Sequence, residues 1–292
     1  MEILSAEFPV RRICEVISIC YSSYYAWRRK ETYRLSSLKT RYAEQVKVVF
    51  EEHRSRYGAV RISKELASQG IRIGRYQTRT LMKKQGLVAI QPKSFVPKTT
   101  DSNHSLGRSD NLLLDRQSPS RPNEVYVGDI TYISMSDGTW MYLATWQDQY
   151  SRMIVGWDLA DHMRSELVVN ALQKAINRRR VGVGLIIHSD GGGQYASADF
   201  KQLLKEYGFL SSMTRKDNHY DNAMAESLFS RFKTELMGKG SFLTKNDAYT
   251  EIFEYIEVYY NRKRRHSGIQ YEKPEEFEKN YEIRTKQVEQ ST

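Results

Sequence analysis

Apolar residues recur at helical spacing through the first ninety positions and at strand spacing only after position 124. Ile13, Val16 and Ile17 share one face of a helix over 10–17, and a second short helix is predicted over 24–30 with Ser22 or Ser23 as its cap. Val46, Val49 and Phe50 then mark a longer helix from Leu38 to about His53. Tyr57-Gly58 breaks the chain before a helix over 60–67, which Gly70 closes, and a third runs from Gln77 to Lys84 before Gly86. Three short helices punctuated by glycine fit a winged or helix-turn-helix DNA module. Arg79, Lys83 and Lys84 on the third helix are the candidates for phosphate or groove contact. A solvated basic helix packed on two neighbours has the same pattern.

After Glu124 the period changes to two. Val125, Val127, Asp129, Thr131 and Ile133 alternate with Tyr126, Gly128, Ile130 and Tyr132, and Asp137-Gly138 signals a hairpin. Strands follow over 140–146 and 153–159, a helix over 165–179, a strand leading to Asp190, a helix over 198–207 and a strand over 209–213. The helix bearing Glu226 and another over 245–260 complete the series. Three strands, then helix and strand in alternation, predict an α/β layer in which an antiparallel hairpin feeds a parallel part. Between the two regions, residues 91–123 hold four of the six prolines among many Ser, Asn and Thr, as a linker does. The expected division is an N-terminal helical segment (1–37), a helical DNA-binding domain (38–90), a linker (91–123), a catalytic core (124–280) and a C-terminal tail (281–292).

Charge sharpens this division. Residues 1–118 carry 22 Lys+Arg against 11 Asp+Glu, whereas 119–292 carry 23 against 24, so the excess of +10 sits in the N-terminal part. A basic module beside a near-neutral one suggests that the first holds a polyanion and the second does chemistry. Basic charge serving solubility alone is the simpler alternative. No apolar run approaches the ~20 residues of a membrane span, and the first residues lack a secretory leader. Cys14 and Cys20 have no histidine between them and no second pair, so two buried thiols in a reducing cytoplasm are expected rather than a zinc site.

The candidate chemistry is acidic. Asp129 lies inside a strand, where acids are depleted. Asp190 follows another strand, and sites form at the carboxyl ends of strands in open α/β sheets. Gly191-Gly192-Gly193 lets backbone or substrate come close. With about 100° per residue around the Glu226 helix, Ala225, Leu228, Phe229, Phe232 and Leu236 gather on one side, and Asn222 and Lys233 fall near Glu226. Three converging carboxylates would repel one another unless divalent ions joined them. Hard oxygen ligands suit Mg²⁺ or Mn²⁺, and two such ions about 4 Å apart would serve an in-line phosphoryl transfer. Spacing alone leaves this site and an unrelated choice of acids both open.

Asp129 in Gly128-Asp129-Ile130-Thr131-Tyr132-Ile133, Asp190 in His188-Ser189-Asp190-Gly191-Gly192, and Glu226 with Lys233 seven residues on resemble the DDE triad of retroviral-integrase-like transposases. The chain is most similar to second-reading-frame (OrfB-type) transposases of the insertion-sequence-three family. Asp148-Gln149-Tyr150-Ser151-Arg152 through Gly156-Trp157, Tyr259-Tyr260-Asn261-Arg262, Arg265-His266-Ser267, Tyr271, Pro274-Glu275-Glu276-Phe277 and the N-terminal Tyr24-Tyr25-Ala26-Trp27-Arg28-Arg29 extend the similarity. It implies a ribonuclease H-like core, with a mixed five-stranded sheet and flanking helices, behind a small all-helical DNA-binding region. It also implies metal-dependent cleavage and strand transfer of DNA at element ends and target, two Mg²⁺ or Mn²⁺ ions on Asp129, Asp190 and Glu226, and Lys233 against DNA. A homo-oligomer on DNA in the bacterial cytoplasm, associated with the nucleoid, is expected. Fusion or partnership with an upstream-frame helix-turn-helix protein is expected too, since this chain carries no such leading segment. Gly128 and Gln147 depart from the family pattern, which favours a larger polar or Thr residue and an apolar one there.

His188 reads as structural or as a partner of the acids rather than a base. Asn222 reads equally as a helix cap or a DNA contact. Asp148 is expected to satisfy backbone or Arg152. The run Arg262-Lys263-Arg264-Arg265-His266, with Arg262 and Arg265 as DNA candidates, would meet phosphates or simply end a solvated helix. Two other functions compete with the transposase: an inactive or accessory DNA-binding regulator of transposition, and a general ribonuclease.

Overall fold

Helical spacing becomes helix over Val10–Val16 (α1), Tyr21–Arg28 (α2), Ser37–Glu52 (α3), Ala59–Ser68 (α4) and Arg75–Lys84 (α5) in the computed structural model. The structure describes residues 4–30, 37–91, 107–114, 116–215, 219–238 and 240–290. These five helices belong to one of two compact units, Met1–Val88; the other is Ala89–Thr292. The first core joins Val46, Val49 and Phe50 of α3 to Ile62 and Leu66 of α4 and to Leu81 and Met82 of α5, all buried, with Tyr57 closing the turn between α3 and α4. Tyr57 stacks on His53, ring centroids 3.6 Å apart. Helix α2 begins earlier than predicted: Cys20 holds the cap position, so Ser22 and Ser23 lie inside the helix and cap nothing, and Cys20 is exposed there while only Cys14 is buried as expected.

The second unit is built on five strands: Val125–Ser134 (β1), Trp140–Asp148 (β2), Ile154–Ala160 (β3), Ile186–Ser189 (β4) and Leu210–Met213 (β5). Their order is β3-β2-β1-β4-β5. The first three are antiparallel neighbours, while β4 runs parallel to β1 and β5 parallel to β4. This is the mixed five-stranded sheet that the alternation and the resemblance predict. Helices Ser165–Arg178 (α6) and Ala198–Glu206 (α7) pack on one face around Trp146, Leu172 and Phe200. On the other face Ala225 of helix Ala223–Leu236 (α8) meets Val125, Val127 and Ile186. Burial on both faces explains why β1 is only loosely alternating.

Three boundaries differ from expectation. Helix Lys245–Phe253 (α9) does not stay α-helical to Tyr260 but continues as a π-helix over Glu254–Tyr260. The proposed tail from 281 falls within a helix, Pro274–Gln290 (α10). The linker does not end at the core's edge either. Its residues 92–106 lie outside the described residues, but 107–114 line β5, with the Met213 amide donating to the Asp110 carbonyl and the Leu112 amide to Ser212 Oγ. This covers an edge strand whose backbone groups would otherwise stay open. No described helix is long and apolar enough to cross a membrane.

Candidate active site

Strand register brings the first two acids together. In the parallel pair β1–β4, Val127 stands opposite His188. Two residues further along each strand direction come Asp129 and Asp190, so adjacent strands deliver both carboxylates side by side. Asp129 Oδ1 accepts from the Ile130 amide (2.7 Å) and Oδ2 from Asn222 Nδ2 (3.3 Å). Asp190 Oδ1 accepts from the Gly192 amide at 3.1 Å. Burial pushes the Asp129 carboxyl well above the usual carboxylate range, and the negative charges of Asp190 and then Glu226 add to that shift. A cavity of about 660 Å³ opens beside the pair, lined by both acids, Met163, Arg164, Gln194 and Tyr195.

Glu226 is placed differently. It sits in the first turn of α8, exposed, and does not line that cavity. Among the described residues no three His, Cys, Asp or Glu side chains stand close enough to share an ion. Two acids are therefore paired, and the third reaches the site through its charge from the neighbouring helix. Lys233, two turns along α8, is half-buried; burial lowers the pKa of its ammonium and the Asp129 charge opposes that shift.

Asn222 occupies the cap position of α8 without making a cap hydrogen bond. Buried, it spends its amide on Asp129 instead. His188 is buried between two partners, Nδ1 2.8 Å from Ser212 Oγ and Nε2 3.1 Å from the Asp221 carbonyl. A carbonyl only accepts, so Nε2 carries the proton, and a neutral ring then accepts from Ser212 at Nδ1. Burial lowers the imidazole pKa, consistent with that neutral form. His188 thus ties β4 to β5 and to the start of α8.

Two glycines here stand in close approach to side chains, the first to the mobile end of an arginine and the second to a buried ring. A Cβ on Gly191 would lie 2.0 Å from the Arg108 guanidinium, which donates to the Thr214 carbonyl. A Cβ on Gly128 would lie 2.3 Å from the Trp146 ring. The departure at 128 is thus a packing feature of this chain. Gln147 has a similar account: buried, it donates to the Arg152 carbonyl and to the Tyr260 hydroxyl.

The remaining candidates separate by exposure. Arg79, Lys83 and Lys84 are exposed on α5. Arg262 is exposed, 3.7 Å from Glu275, but Arg265 is buried and donates to the Tyr271 carbonyl. Arg264, between them, is buried against Glu235. The basic run is therefore only half solvated. Asp148 does receive backbone amides, from Asn123, Tyr150 and Ser151, but its cation is Arg179 at 3.6 Å rather than Arg152. Sequence reasoning missed Tyr195, whose buried hydroxyl is pushed well above its ordinary range by burial and by the charges of Asp190 and Asp129. Its spacing five residues past Asp190, across a glycine run, is the only signal the sequence holds.

Known proteins match along this whole plan. An HTH-like domain family matches residues 37–95, and two integrase core domain models match 119–219 and 226–281. The transposase for insertion sequence element IS904 of Lactococcus lactis is 42% identical over 237 residues, covering 81% of this chain and 93% of that one. A 31 kDa protein of insertion element IS600 from Shigella sonnei is 37% identical over 92% of this chain and 98% of its own length. Transposase InsF for insertion sequence IS3A of Escherichia coli K12 is 36% identical over 94% of this chain and 95% of its own. With identity sustained over nearly its full length and both regions matched, the chain belongs to the insertion-sequence-three family of transposases.

Proposed function

We propose that this chain cleaves DNA strands and joins them to a target, with Asp129, Asp190 and Glu226 holding two Mg²⁺ or Mn²⁺ ions. The observation that carries the reading is the side-by-side placement of Asp129 and Asp190, where burial and then the Asp190 charge raise the Asp129 carboxyl. The donor types suit a hard divalent cation, all oxygen with two carboxylates delivered by adjacent strands, and Glu226 has to approach from the facing helix to complete the set. Such ions, when bound, neutralise the acids, activate water or a 3′-hydroxyl and stabilise the leaving oxygen.

The chain's own residues do the positioning. The Ile130 amide and Asn222 fix Asp129, and the Gly192 amide fixes Asp190. Glu226 supplies its carboxylate from the rim, where a DNA backbone has access. Lys233 meets a phosphate beside the acids. The basic unit around 38–90 holds duplex DNA through Arg79, Lys83 and Lys84, and Arg262 adds a phosphate contact. Assembly as a homo-oligomer on paired ends, partnership with an upstream-frame protein and residence on the nucleoid extend this reading.

The test uses linear duplex carrying the element's terminal sequences, with Mg²⁺ present. Asp190→Asn and Glu226→Gln are expected to abolish joining while duplex retention persists. Joining that survives either substitution would sink the proposal. Wild-type protein that retains duplex with steep salt dependence yet never nicks it would establish the accessory regulator instead.

A further inference from the structure

Helix α5 has an open face that its own unit does not use. Thr78, Leu81 and Met82 are buried. Taking Tyr76 as 0° and turning about 100° per residue, those three fall at about 140–240°, while Arg79, Thr80 and Lys83 fall within about 60° of Tyr76. All four are exposed. The face opposite the packing side is thus one stripe of ring, guanidinium, hydroxyl residue and ammonium. No described large apolar side chain is more open than Tyr76, at 86% exposed.

Two further observations decide what covers this stripe. Helix α5 carries Arg75, Arg79, Lys83 and Lys84 and no acid. None of these cations has a carboxylate partner among the described residues. A face of that charge, lacking its own counter-ions, is complementary to a polyanion. The helix is also held firmly. Ser63 Oγ donates to the Ile73 carbonyl at 2.6 Å, Thr78 Oγ1 donates to the Gly74 carbonyl, and Gln85 Nε2 reaches the Ala43 carbonyl of α3. Tyr76 is the second residue of α5, and in a helix-turn-helix the first residues of the second helix contact base edges.

We infer that α5 enters the major groove of duplex DNA and that Tyr76 reads base sequence there, its ring against thymine methyl groups. This rests on the reading that the chain binds DNA, and adds a specificity-determining residue to it. Phosphate contacts by Arg or Lys position a protein without reading sequence, whereas apolar contact with the thymine methyl discriminates. Arg79 and Lys83 flank the ring on the same exposed face, where they would anchor the helix on the phosphate backbone. The Thr80 hydroxyl donates to the Tyr76 carbonyl at 3.0 Å, which leaves the tyrosine ring as the stripe's candidate for thymine methyl groups.

The experiment is selection of duplexes from a random-sequence pool by the full chain, with chelator present to prevent cleavage. Wild type, Tyr76→Phe, Tyr76→Ala and Lys83→Ala are compared, and circular dichroism checks that each folds. Wild type is expected to enrich a motif containing thymine. Tyr76→Ala should flatten one or two adjacent positions and bind the wild-type motif roughly tenfold or more weakly, with unchanged affinity for unselected duplex and an unchanged salt slope. Tyr76→Phe should keep the motif. Lys83→Ala should weaken all sequences alike and lower the salt slope by about 1. Recovery of the same motif by Tyr76→Ala, or equal loss on selected and unselected duplex, overturns the proposal while leaving DNA binding intact. Loss of the motif in Tyr76→Phe overturns the ring contact. Failure of wild type to retain any duplex at low salt overturns the DNA-binding reading and this inference with it.

Discussion

The indole of Trp146 occupies the space that a side chain at position 128 would fill. The two residues are cross-strand neighbours in the antiparallel pair β1–β2, and Trp146 is fully buried, stacked on Phe200 at 5.8 Å. Asp129, the next residue, takes its position from this packing. A chain with a larger residue before that acid needs a smaller one across the strand.

This predicts strong coupling between the two positions. Gly128→Ala overpacks the strand and should cost about 1–3 kcal/mol. Trp146→Ala leaves a cavity and should cost about 3–5 kcal/mol. In the double variant the alanine at 128 gains room, so its added cost should fall toward zero. Urea unfolding of the four proteins measures the cycle, and simple additivity would refute the packing account.

A second buried relationship anchors the helix that carries Glu226 and Lys233. Arg264 donates to Glu235 from Nε (2.8 Å) and Nη2 (2.6 Å), and the Tyr255 hydroxyl donates to the same carboxylate at 3.0 Å. Arg264→Ala strands a buried carboxylate and should destabilise by about 3–5 kcal/mol. Replacing both members, Glu235→Leu with Arg264→Met, should recover most of that loss in the same unfolding assay. If the double variant is as unstable as the single, the charge is not the cause.

These two pairs show where the sequence is legible. The alternation through β1 and the helical spacing of α6 and α8 follow from burial of apolar side chains, a local property that a single chain displays. Asp129 and Asp190 are legible for the complementary reason, because an acid is out of place in or beside a buried strand. Glu235 is not. It sits on the apolar side of α8, where Leu236 was expected to be the inward residue, and nothing near it in sequence announces Arg264, 29 residues away. The π-helical turn and the strap at 107–114 are likewise decided by tertiary partners. The offset of Glu226 from the acid pair could not be read either, since helical spacing fixes a residue's side of the helix but not the helix's distance from the sheet.

Alkaline stability should report the buried tyrosines. Burial pushes the Tyr260 hydroxyl up to about 12 from its ordinary 10.0, while the Arg264 charge opposes the shift. For an acid whose folded pKa is raised, the stabilising contribution is complete below the unfolded value and is lost as pH climbs through the folded one. The thermal midpoint of the wild type should therefore fall between pH 10 and 12. Tyr260→Phe should fall less steeply over that window. It should still fall, because Tyr126, Tyr195 and Tyr255 are pushed up by burial as well. Identical slopes for wild type and variant would contradict the assignment.

Lys233 offers a way to tell a DNA contact from an internal counter-charge. Burial lowers the pKa of its ammonium and the Asp129 charge opposes that shift, so the acids and the cation already interact in the free protein. If it also meets a phosphate of bound DNA, Lys233→Ala should lower the slope of log affinity against log salt by about 1, and Lys233→Arg should keep the wild-type slope. If Lys233 serves the acids alone, the slope stays unchanged in both variants, and the loss appears in the divalent-ion concentration needed for half-maximal joining. Duplex binding measured from low to moderate salt, with and without Mg²⁺, separates the two. An alanine variant that matches wild type in both slope and metal requirement would remove Lys233 from the site.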